Sequence, residues 1–318
     1  MSERKQPRQR YPIGWFQVAY SDEVAPGQVI PLHYFGRELV LFRGEGGQAR
    51  VFDAYCPHLG AHLGYGGTVV GDSIRCPFHA WRFDGEGRCV EIPYAKRIPP
   101  AAAVRRWPML ERNGMILVYH DPRGLEPEYE IPELPEVGSP EWTPLEFRRW
   151  KIRTHNQEMG ENQVDAAHFR FVHGTLTVPE MTAEAEGPLM KVTGVSKMGT
   201  PKGEVTGTIA SSSWGFGIST VRFAGIVDTL LIAAVTPIDA EYVDVRFAFT
   251  VKKLGTEAAT AGVGRALIED IEKQMSEDTP IWEHKTYHER PVLCDGDGPI
   301  ALYRRWCRQF YLPEEASA

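Results

Sequence analysis

The first 120 residues alternate between short apolar runs and turns rich in glycine and proline. Runs of this length, rich in β-branched and aromatic residues and bounded by turn residues, are typical of β-strands. The predicted strands cover residues 15–20, 28–35, 37–43, 49–55 and 115–120. The pattern therefore predicts an all-β domain over residues 12–120.

Residues 121–144 differ sharply in composition, with six prolines and seven acidic residues in 24 positions. Such a stretch favours an extended segment at the surface over a packed element. It is interpreted as a connector between two domains.

The second half, residues 145–318, combines helical and alternating patterns. A helical stretch is predicted around 156–172, strands from about 190 to 254, and a long helix near 259–288 that closes the chain. Alternation with glycine and proline punctuation indicates an antiparallel sheet with one buried face. An α+β fold is expected, with helices on one face of the sheet and a cavity between them.

Two short motifs carry the clearest chemistry, Cys56-Pro57-His58 and Cys76-Pro77-Phe78-His79. Each offers one thiolate and one imidazole, and this ligand set is that of a Rieske [2Fe-2S] centre, in which two histidines replace two cysteines on one iron. The strand pattern predicts that these motifs lie at the tips of two hairpins. The alternative is a structural zinc site, because two cysteines and two histidines also bind zinc. The short spacings, the proline after each cysteine and the flanking glycines favour the Rieske interpretation. His62 is not expected to be a ligand.

A second group of candidate ligands lies between residues 161 and 173. On a regular helix Glu161, Asp165 and His168 would form one polar stripe. His168 and His173 can share a metal only if the helix distorts or ends between them, and Gly174 is a plausible end. Two histidines and one carboxylate form the facial triad of non-haem Fe(II) oxygenases. Two histidines near a helix end are also common in purely structural roles.

The third ligand is sought on the long predicted helix, which has five acidic candidates: Glu269, Asp270, Glu272, Glu277 and Asp278. Extending the apolar stripe of that helix by three residues reaches Asp278, whereas the other four fall outside it. A carboxylate on a buried stripe must be paired or coordinated. The alternative is that Pro280 ends or kinks the helix and leaves Asp278 solvated.

Composition narrows the class further. The chain has 318 residues and a net charge of −7, and no basic patch suggests nucleic-acid binding. Five cysteines, three of them scattered outside the motifs, are typical of a cytoplasmic protein. No apolar run approaches the ~18 residues that span a bilayer, so a soluble protein is expected.

The paired motifs, followed by the DxxHFxxVH pattern that begins at Asp165, resemble the oxygenase components of Rieske non-haem iron oxygenases. The resemblance covers nearly the whole chain. It implies a Rieske domain followed by a helix-grip catalytic domain, with His168, His173 and Asp278 holding a mononuclear Fe(II). The segment EDTPIW at 277–282 looks like the third-ligand region of that family.

The same resemblance implies a role for Asp165. In the family, the acid at this position links a histidine of the mononuclear iron to a Rieske histidine of a neighbouring subunit. Asp165 would then bond His168 and reach toward His79 of the partner subunit, as an electron bridge in a head-to-tail homotrimer.

Within the family, the chain looks most like the steroid-active branch of 3-ketosteroid 9α-hydroxylase oxygenases and cholesterol 7-desaturases. The segments that carry this resemblance are CPHLGA at 56–61, EIPY at 91–94, ERNGMILVYHDPRG at 111–124 and DGDGPIALYRRW at 295–306. The resemblance implies an O2-dependent oxygenase component that receives electrons from a separate NAD(P)H-dependent reductase. It would hydroxylate or desaturate a C–H position of an apolar, steroid-like substrate.

Two rival functions stay open. One is an electron-transfer Rieske protein whose second domain binds no iron, and it is distinguished by whether His168, His173 and Asp278 converge. The other is an oxygenase that acts on an aromatic acid or amine, with demethylation as the outcome. No substrate-binding residue is assigned, since Trp214, Phe216 and Phe223 fit the core of a sheet as well as a cavity wall.

Overall fold

The computed structural model describes residues 11–200, 203–224 and 227–312, with the side chains of 196–200 and 203–206 left aside. The chain divides into two compact units, Trp15–Glu130 and the rest of the chain. The division falls inside the predicted connector. The limits predicted for the two domains stay a prediction.

The first unit is built only from strands and one short 3-10 turn. Its strands are β1 (Gly14–Tyr20), β2 (Val29–Tyr34), β3 (Arg37–Arg43), β4 (Ala49–Asp53), β5 (Thr68–Val70), β6 (Ser73–Arg75), β7 (Arg82–Phe83), β8 (Cys89–Glu91), β9 (Met109–Arg112) and β10 (Met115–His120). They form three sheets, in the orders β1-β10-β9, β2-β3-β4 and β5-β6-β7-β8. All five predicted strands are confirmed. The other five were missed because strands of two to four residues are too short for alternation to be visible.

The second unit contains the strands β11 (Glu146–Ile152), β12 (Glu180–Glu186), β13 (Leu189–Thr200), β14 (Gly203–Trp214), β15 (Ile218–Ala224), β16 (Thr229–Pro237) and β17 (Val243–Val251). Its helices are α1 (Asn156–Glu161), α2 (Ala166–Phe171), α3 (Glu257–His284) and α4 (Ile300–Cys307). The strands form one antiparallel sheet in the order β11-β17-β16-β15-β14-β13-β12. The predicted α+β architecture is confirmed.

Helix α3 packs on the sheet through one apolar face. Ile268, Ile271 and Met275 share a buried cluster with Leu231 of β16 and Phe247 of β17. Their spacing follows the helical repeat, so that one stripe of α3 turns toward the sheet. This packing holds the later part of α3, including Asp278, against the interior.

The single helix predicted over 156–172 is wrong, because the structure has two short helices with a turn between them. Asp165 has an extended backbone, and its carboxylate accepts hydrogen bonds from the N–H groups of Ala167 and His168. Aspartate is favoured at such an N-cap position, where it satisfies free N–H groups at the start of a helix. Glu161 therefore leaves the expected polar stripe and pairs with Arg304 of α4 at 2.6 Å.

The prediction that the long helix closes the chain is also wrong. Helix α3 ends at His284 and α4 follows, burying Tyr303 and Trp306 in a cluster with Phe216. An eight-residue helix gives too few repeats to be visible as a pattern. Pro280 lies inside α3 and does not end it. The burial of Trp282, which is 4% exposed, holds the last turn of α3 beyond the proline.

Candidate metal centres and substrate cavity

The two cysteine loops of the first unit have the same backbone hydrogen bonds. Cys56 N donates to Ala61 O at 2.9 Å, and Gly60 N donates to Cys56 O at 3.0 Å. The loop at Cys76 repeats both bonds with the residues five and four positions later, at 2.8 and 3.2 Å. Each loop thus holds its cysteine in the same turn. The histidine follows two positions after the cysteine in the first loop and three positions after it in the second.

A left-handed residue closes each turn. Gly60 has a φ of 73° and Ala80 has a φ of 57°. Glycine adopts this conformation freely, whereas a residue with a Cβ is strained there by roughly 1–2 kcal/mol. The second loop therefore carries backbone strain that the first one lacks.

The histidines of the two loops face each other. The ring centroids of His58 and His79 lie 4.7 Å apart, and the His58 ring stacks on Trp81 at 4.6 Å. Nδ1 of His58 is buried and has no hydrogen-bond partner among the described residues. A buried imidazole nitrogen without a partner is costly unless something binds it, and a metal ligand position satisfies this requirement.

The cysteine thiols lie at the edge of an apolar core. Cys56 and Cys76 are both 3% exposed and belong to one buried cluster. Burial and, to a smaller extent, the neighbouring Cys76 thiol raise the pKa of Cys56 to about 11. A hydrogen bond with the backbone of His58 acts in the opposite direction but does not outweigh burial. Two thiolates this close and this buried require a compensating positive charge, so the donor set fits an iron cluster. His62 instead accepts a hydrogen bond from Gly64 N at 3.0 Å.

A second group of donors meets in the second unit, where α2 ends and the last turns of α3 pass. The ligand atoms of His168, His173 and Asp278 all lie within 4.8 Å of one another. Nε2 of His173 is 3.4 Å from Asp278 Oδ2, and the two imidazole centroids are 5.0 Å apart. Two imidazoles and one buried carboxylate fit a facial triad for Fe(II).

His168 is held by the turn between α1 and α2. Its Nδ1 lies 2.5 Å from the backbone oxygen of Asp165, which leaves Nε2 as the free ring nitrogen. Burial lowers the pKa of His168, and this favours the neutral imidazole that can bind a metal. The expected bond between Asp165 and His168 thus involves the backbone, because the Asp165 carboxylate caps α2.

His173 is held from the other side by a second acid of α3, Glu277. Nδ1 of His173 lies 2.9 Å from Glu277 Oε2. Burial lowers the pKa of His173, but the bonds to Asp278 and Glu277 outweigh burial and raise it overall. Glu277 was excluded as a ligand because it lies outside the apolar stripe of α3. The apolar stripe carries no information about whether Glu277 could orient His173.

A cavity of about 940 Å³ opens from this triad between the sheet and α3. Apolar side chains dominate its lining, including Phe223, Leu231, Phe247 and Leu267. Of the three aromatic residues considered from the sequence, Phe216 and Phe223 line the cavity, and Trp214 is not among the lining residues. Asp270 and Asp278 contribute carboxylates, and the described part of the lining contains no lysine or arginine.

Comparison with known families agrees with both candidate metal centres. Residues 14–108 match the Rieske [2Fe-2S] domain, and residues 118–311 match the 3-ketosteroid 9α-hydroxylase C-terminal domain. The chain belongs to the 3-ketosteroid 9α-hydroxylase family of Rieske oxygenases. The family predicted from the sequence is thereby confirmed.

Named relatives are similar along nearly the whole chain. A 3-ketosteroid-9-alpha-monooxygenase oxygenase component of Rhodococcus rhodochrous is 34% identical, over 96% of this chain and 83% of the relative. A cholesterol 7-desaturase of Ciona intestinalis is 31% identical, over 95% and 69%. The oxygenase is therefore an oxidoreductase with a Rieske cluster and non-haem Fe(II) chemistry. As an oxygenase component it uses O2 and receives electrons from a separate reductase.

Solved structures with the same fold are more distant in sequence. Dicamba monooxygenase bound to 3,6-dichlorosalicylic acid has a TM-score of 0.77 and 19% identity, over 93% of this chain and 96% of that chain. NdmA of Pseudomonas putida CBB5 with caffeine has a TM-score of 0.75 and 20% identity, over 92% and 89%. These similarities support the fold and carry no argument about the substrate. Across the described residues, no helix is both long and apolar enough to cross a membrane.

Proposed function

We propose that the oxygenase hydroxylates or desaturates an unactivated C–H position of a neutral steroid-like or sterol-like substrate. The observation that carries this proposal is the apolar cavity of about 940 Å³ that begins at His168, His173 and Asp278. Small-molecule sites span about 300–1,000 Å³, so this one lies at the large end of the range and suits a rigid polycyclic compound. The similarity to steroid-active relatives supports the same substrate class.

The charges of the lining support a neutral substrate. Apart from the proposed metal ligands, the described lining contains one carboxylate, that of Asp270, and no lysine or arginine. A carboxylate substrate would need a cationic partner once it leaves water. This lining therefore disfavours an aromatic acid.

Seven residues are assigned to the metal centres under this proposal: Cys56, His58, Cys76, His79, His168, His173 and Asp278. The first four hold the [2Fe-2S] cluster and the last three hold Fe(II). When bound, the cluster would supply single electrons and the iron would supply O2 activation. Convergence of the last three residues argues against the purely electron-transferring protein.

The protein side chains position the reaction. The backbone oxygen of Asp165 and the carboxylate of Glu277 fix the two imidazole rings, so that each presents one nitrogen to the iron position. The apolar walls exclude water around the substrate. Hydroxylation places one oxygen atom of O2 in the substrate and releases the other as water, with two electrons and two protons consumed. Desaturation removes two hydrogens and releases both oxygen atoms as water for the same electrons and protons.

Asp165 is proposed as the electron bridge to His79 of the partner subunit in a homotrimer. Its position beside His168, at the start of α2, supports this role. A cytoplasmic location is proposed as well, supported by the five cysteines, none of which forms a disulfide in the described part of the chain.

The test uses the full-length protein, loaded with two irons and two sulfides for the cluster and one iron for the second site. It is combined with a surrogate reductase, NAD(P)H and two substrate panels, one of steroids and sterols and one of aromatic acids and methyl ethers. The proposal expects a hydroxylated or dehydrogenated product from the first panel in proportion to the NAD(P)H consumed. Product from the aromatic panel alone would establish the rival substrate class.

A further inference from the structure

One part of the cavity wall is polar. Ser211 and Ser213 alternate along β14 and so point to the same face of the sheet, into the cavity. Ser219 of β15 is the direct cross-strand neighbour of Ser213 and lines the cavity too. Most of the same face carries apolar side chains such as Val221 and Leu231, with the hydroxyl of Thr229 further along β16. The three serines therefore form a cluster of hydroxyls on a largely apolar face.

Gln163 lies over this cluster, in the turn between α1 and α2. Its Oε1 accepts hydrogen bonds from the hydroxyls of Ser213 at 2.8 Å and Ser211 at 3.4 Å. Both serines are almost fully buried. Because two hydroxyls hold the carbonyl end, the orientation of the whole carboxamide is determined.

The other end of this carboxamide is a donor without a partner. Gln163 lines the cavity, and no atom of the described residues accepts a hydrogen bond from its Nε2. A carboxamide nitrogen carries two N–H donors, so an oxygen of a ligand in the cavity can accept a hydrogen bond from it. The arrangement is that of a pre-oriented donor aimed at a ligand.

We propose that the Gln163 carboxamide binds a neutral oxygen acceptor of the substrate, a keto or hydroxyl oxygen, with Ser211 and Ser213 holding the amide in place. The inference rests on the proposed steroid-like substrate and adds to it that the substrate carries such an oxygen. The lining selects among acceptors, since its described part offers no lysine or arginine to pair with an anionic oxygen and therefore favours a neutral one.

The test is equilibrium binding to the metal-loaded protein, measured by isothermal titration calorimetry. The probes are androst-4-ene-3,17-dione and its 3-deoxo and 17-deoxo analogues. The variants are Gln163→Met, which keeps the length of the side chain but removes the amide, and Ser213→Ala, which releases the amide. Gln309→Met is the matched control, because Gln309 is exposed and does not line the cavity.

Loss of one neutral hydrogen bond predicts about five- to tenfold weaker binding of the dione by Gln163→Met. The same variant should bind one of the deoxo analogues as well as the wild type does, so that the preference for that oxygen disappears. Ser213→Ala should lose part of the preference, and Gln309→Met should retain all of it.

Equal affinities of wild type and Gln163→Met for all three probes would overturn the inference while leaving the steroid proposal intact. Failure of the wild type to bind any of the probes would overturn the steroid proposal, and the inference with it. Binding is measured without turnover, so a defect in electron transfer cannot imitate either result.

Discussion

Glu277 Oε2 lies 2.9 Å from Nδ1 of His173, while Nε2 of the same ring lies 3.4 Å from Asp278. One imidazole is thus held between two consecutive carboxylates of α3, one at each nitrogen. The bond to His173 lowers the pKa of Glu277, which keeps this carboxylate ionised as an acceptor. The two neighbouring carboxylates therefore have different roles: Asp278 is a proposed metal ligand, and Glu277 is a positioning residue.

Replacing Glu277 with glutamine should weaken Fe(II) binding by about 10- to 100-fold, as expected when the acceptor that orients a metal-binding histidine is weakened. The measurement is an anaerobic Fe(II) titration of protein whose second site has been emptied. The Rieske signal in the electron paramagnetic resonance spectrum should be unchanged, because Glu277 lies in the other unit. Glu269→Gln, at an exposed position of the same helix, is the control. Identical Fe(II) affinities of the two variants would contradict a positioning role.

Replacing Ala80 with glycine should stabilise the Rieske unit by about 0.5–1 kcal/mol. The change removes roughly 1–2 kcal/mol of left-handed strain and adds part of the entropic cost of glycine. Gly60→Ala is the mirror experiment, since a Cβ at Gly60 meets no atom within 4 Å and only the backbone conformation is tested. Thermal bleaching of the cluster absorbance should shift upward for Ala80→Gly and downward for Gly60→Ala. Shifts of the same sign would show that strain at these turns does not control the stability of the loops.

Glu111 forms a two-pronged ion pair with the buried Arg43, at 2.8 and 3.0 Å. Burial raises the pKa of Glu111, but the bonds from Arg43 and Ser21 outweigh it and lower the pKa overall. A carboxylate with a lowered folded-state pKa stabilises the protein above its unfolded-state pKa of about 4.3, and the contribution disappears as the pH falls through the folded-state value.

Glu111→Gln should therefore unfold more easily than wild type near neutral pH, by about 1–2 kcal/mol, and the difference should shrink below about pH 4. Urea unfolding at a series of pH values measures this. Glu130→Gln removes an exposed partner of Arg112 and should cost little at any pH. A Glu111→Gln difference that grows in acid would have the wrong sign for this account.

Asp165→Asn separates the two roles of this residue. Asparagine still accepts hydrogen bonds at the start of α2, so the helix should form, whereas the negative charge is lost. Both metal centres should load and the cluster should still be reduced by the reductase. Turnover should be abolished, because the reduced cluster should not be reoxidised when O2 and substrate are added. Stopped-flow absorbance follows that reoxidation, and a normal rate in Asp165→Asn would rule out the bridge.

Much of the geometry of the first candidate metal centre could be predicted from the sequence because its information is local. Cys56 and His58 are two positions apart, and the backbone bonds that fix their turn join Cys56 to Gly60 and Ala61, so a short motif contains most of the geometry. The position of Asp278 beside His168 and His173 could also be predicted, because Asp278 continues the buried stripe of α3. In each case a single element determines where the side chain points.

Other parts could not be predicted because they depend on contacts between distant segments. The break between α1 and α2 follows from Asp165 capping α2, which competes with a continuous helix of similar apolar pattern. Glu277 acts on a histidine 104 residues earlier, and Gln163 meets serines 48 and 50 residues later. The hydrophobic periodicity of a single helix or strand carries no information about such contacts between distant segments. Helix α4 was missed for a different reason, since its eight residues are too few to show a repeat.

The most direct test of the central claim is a single turnover without a reductase. The metal-loaded protein is reduced chemically, freed of reductant and mixed with androst-4-ene-3,17-dione and ¹⁸O₂. The account predicts that the cluster is reoxidised when the steroid is present and that an ¹⁸O-hydroxylated or dehydrogenated steroid forms. Reoxidation with no steroid product, together with product from an aromatic methyl ether under the same conditions, would contradict it.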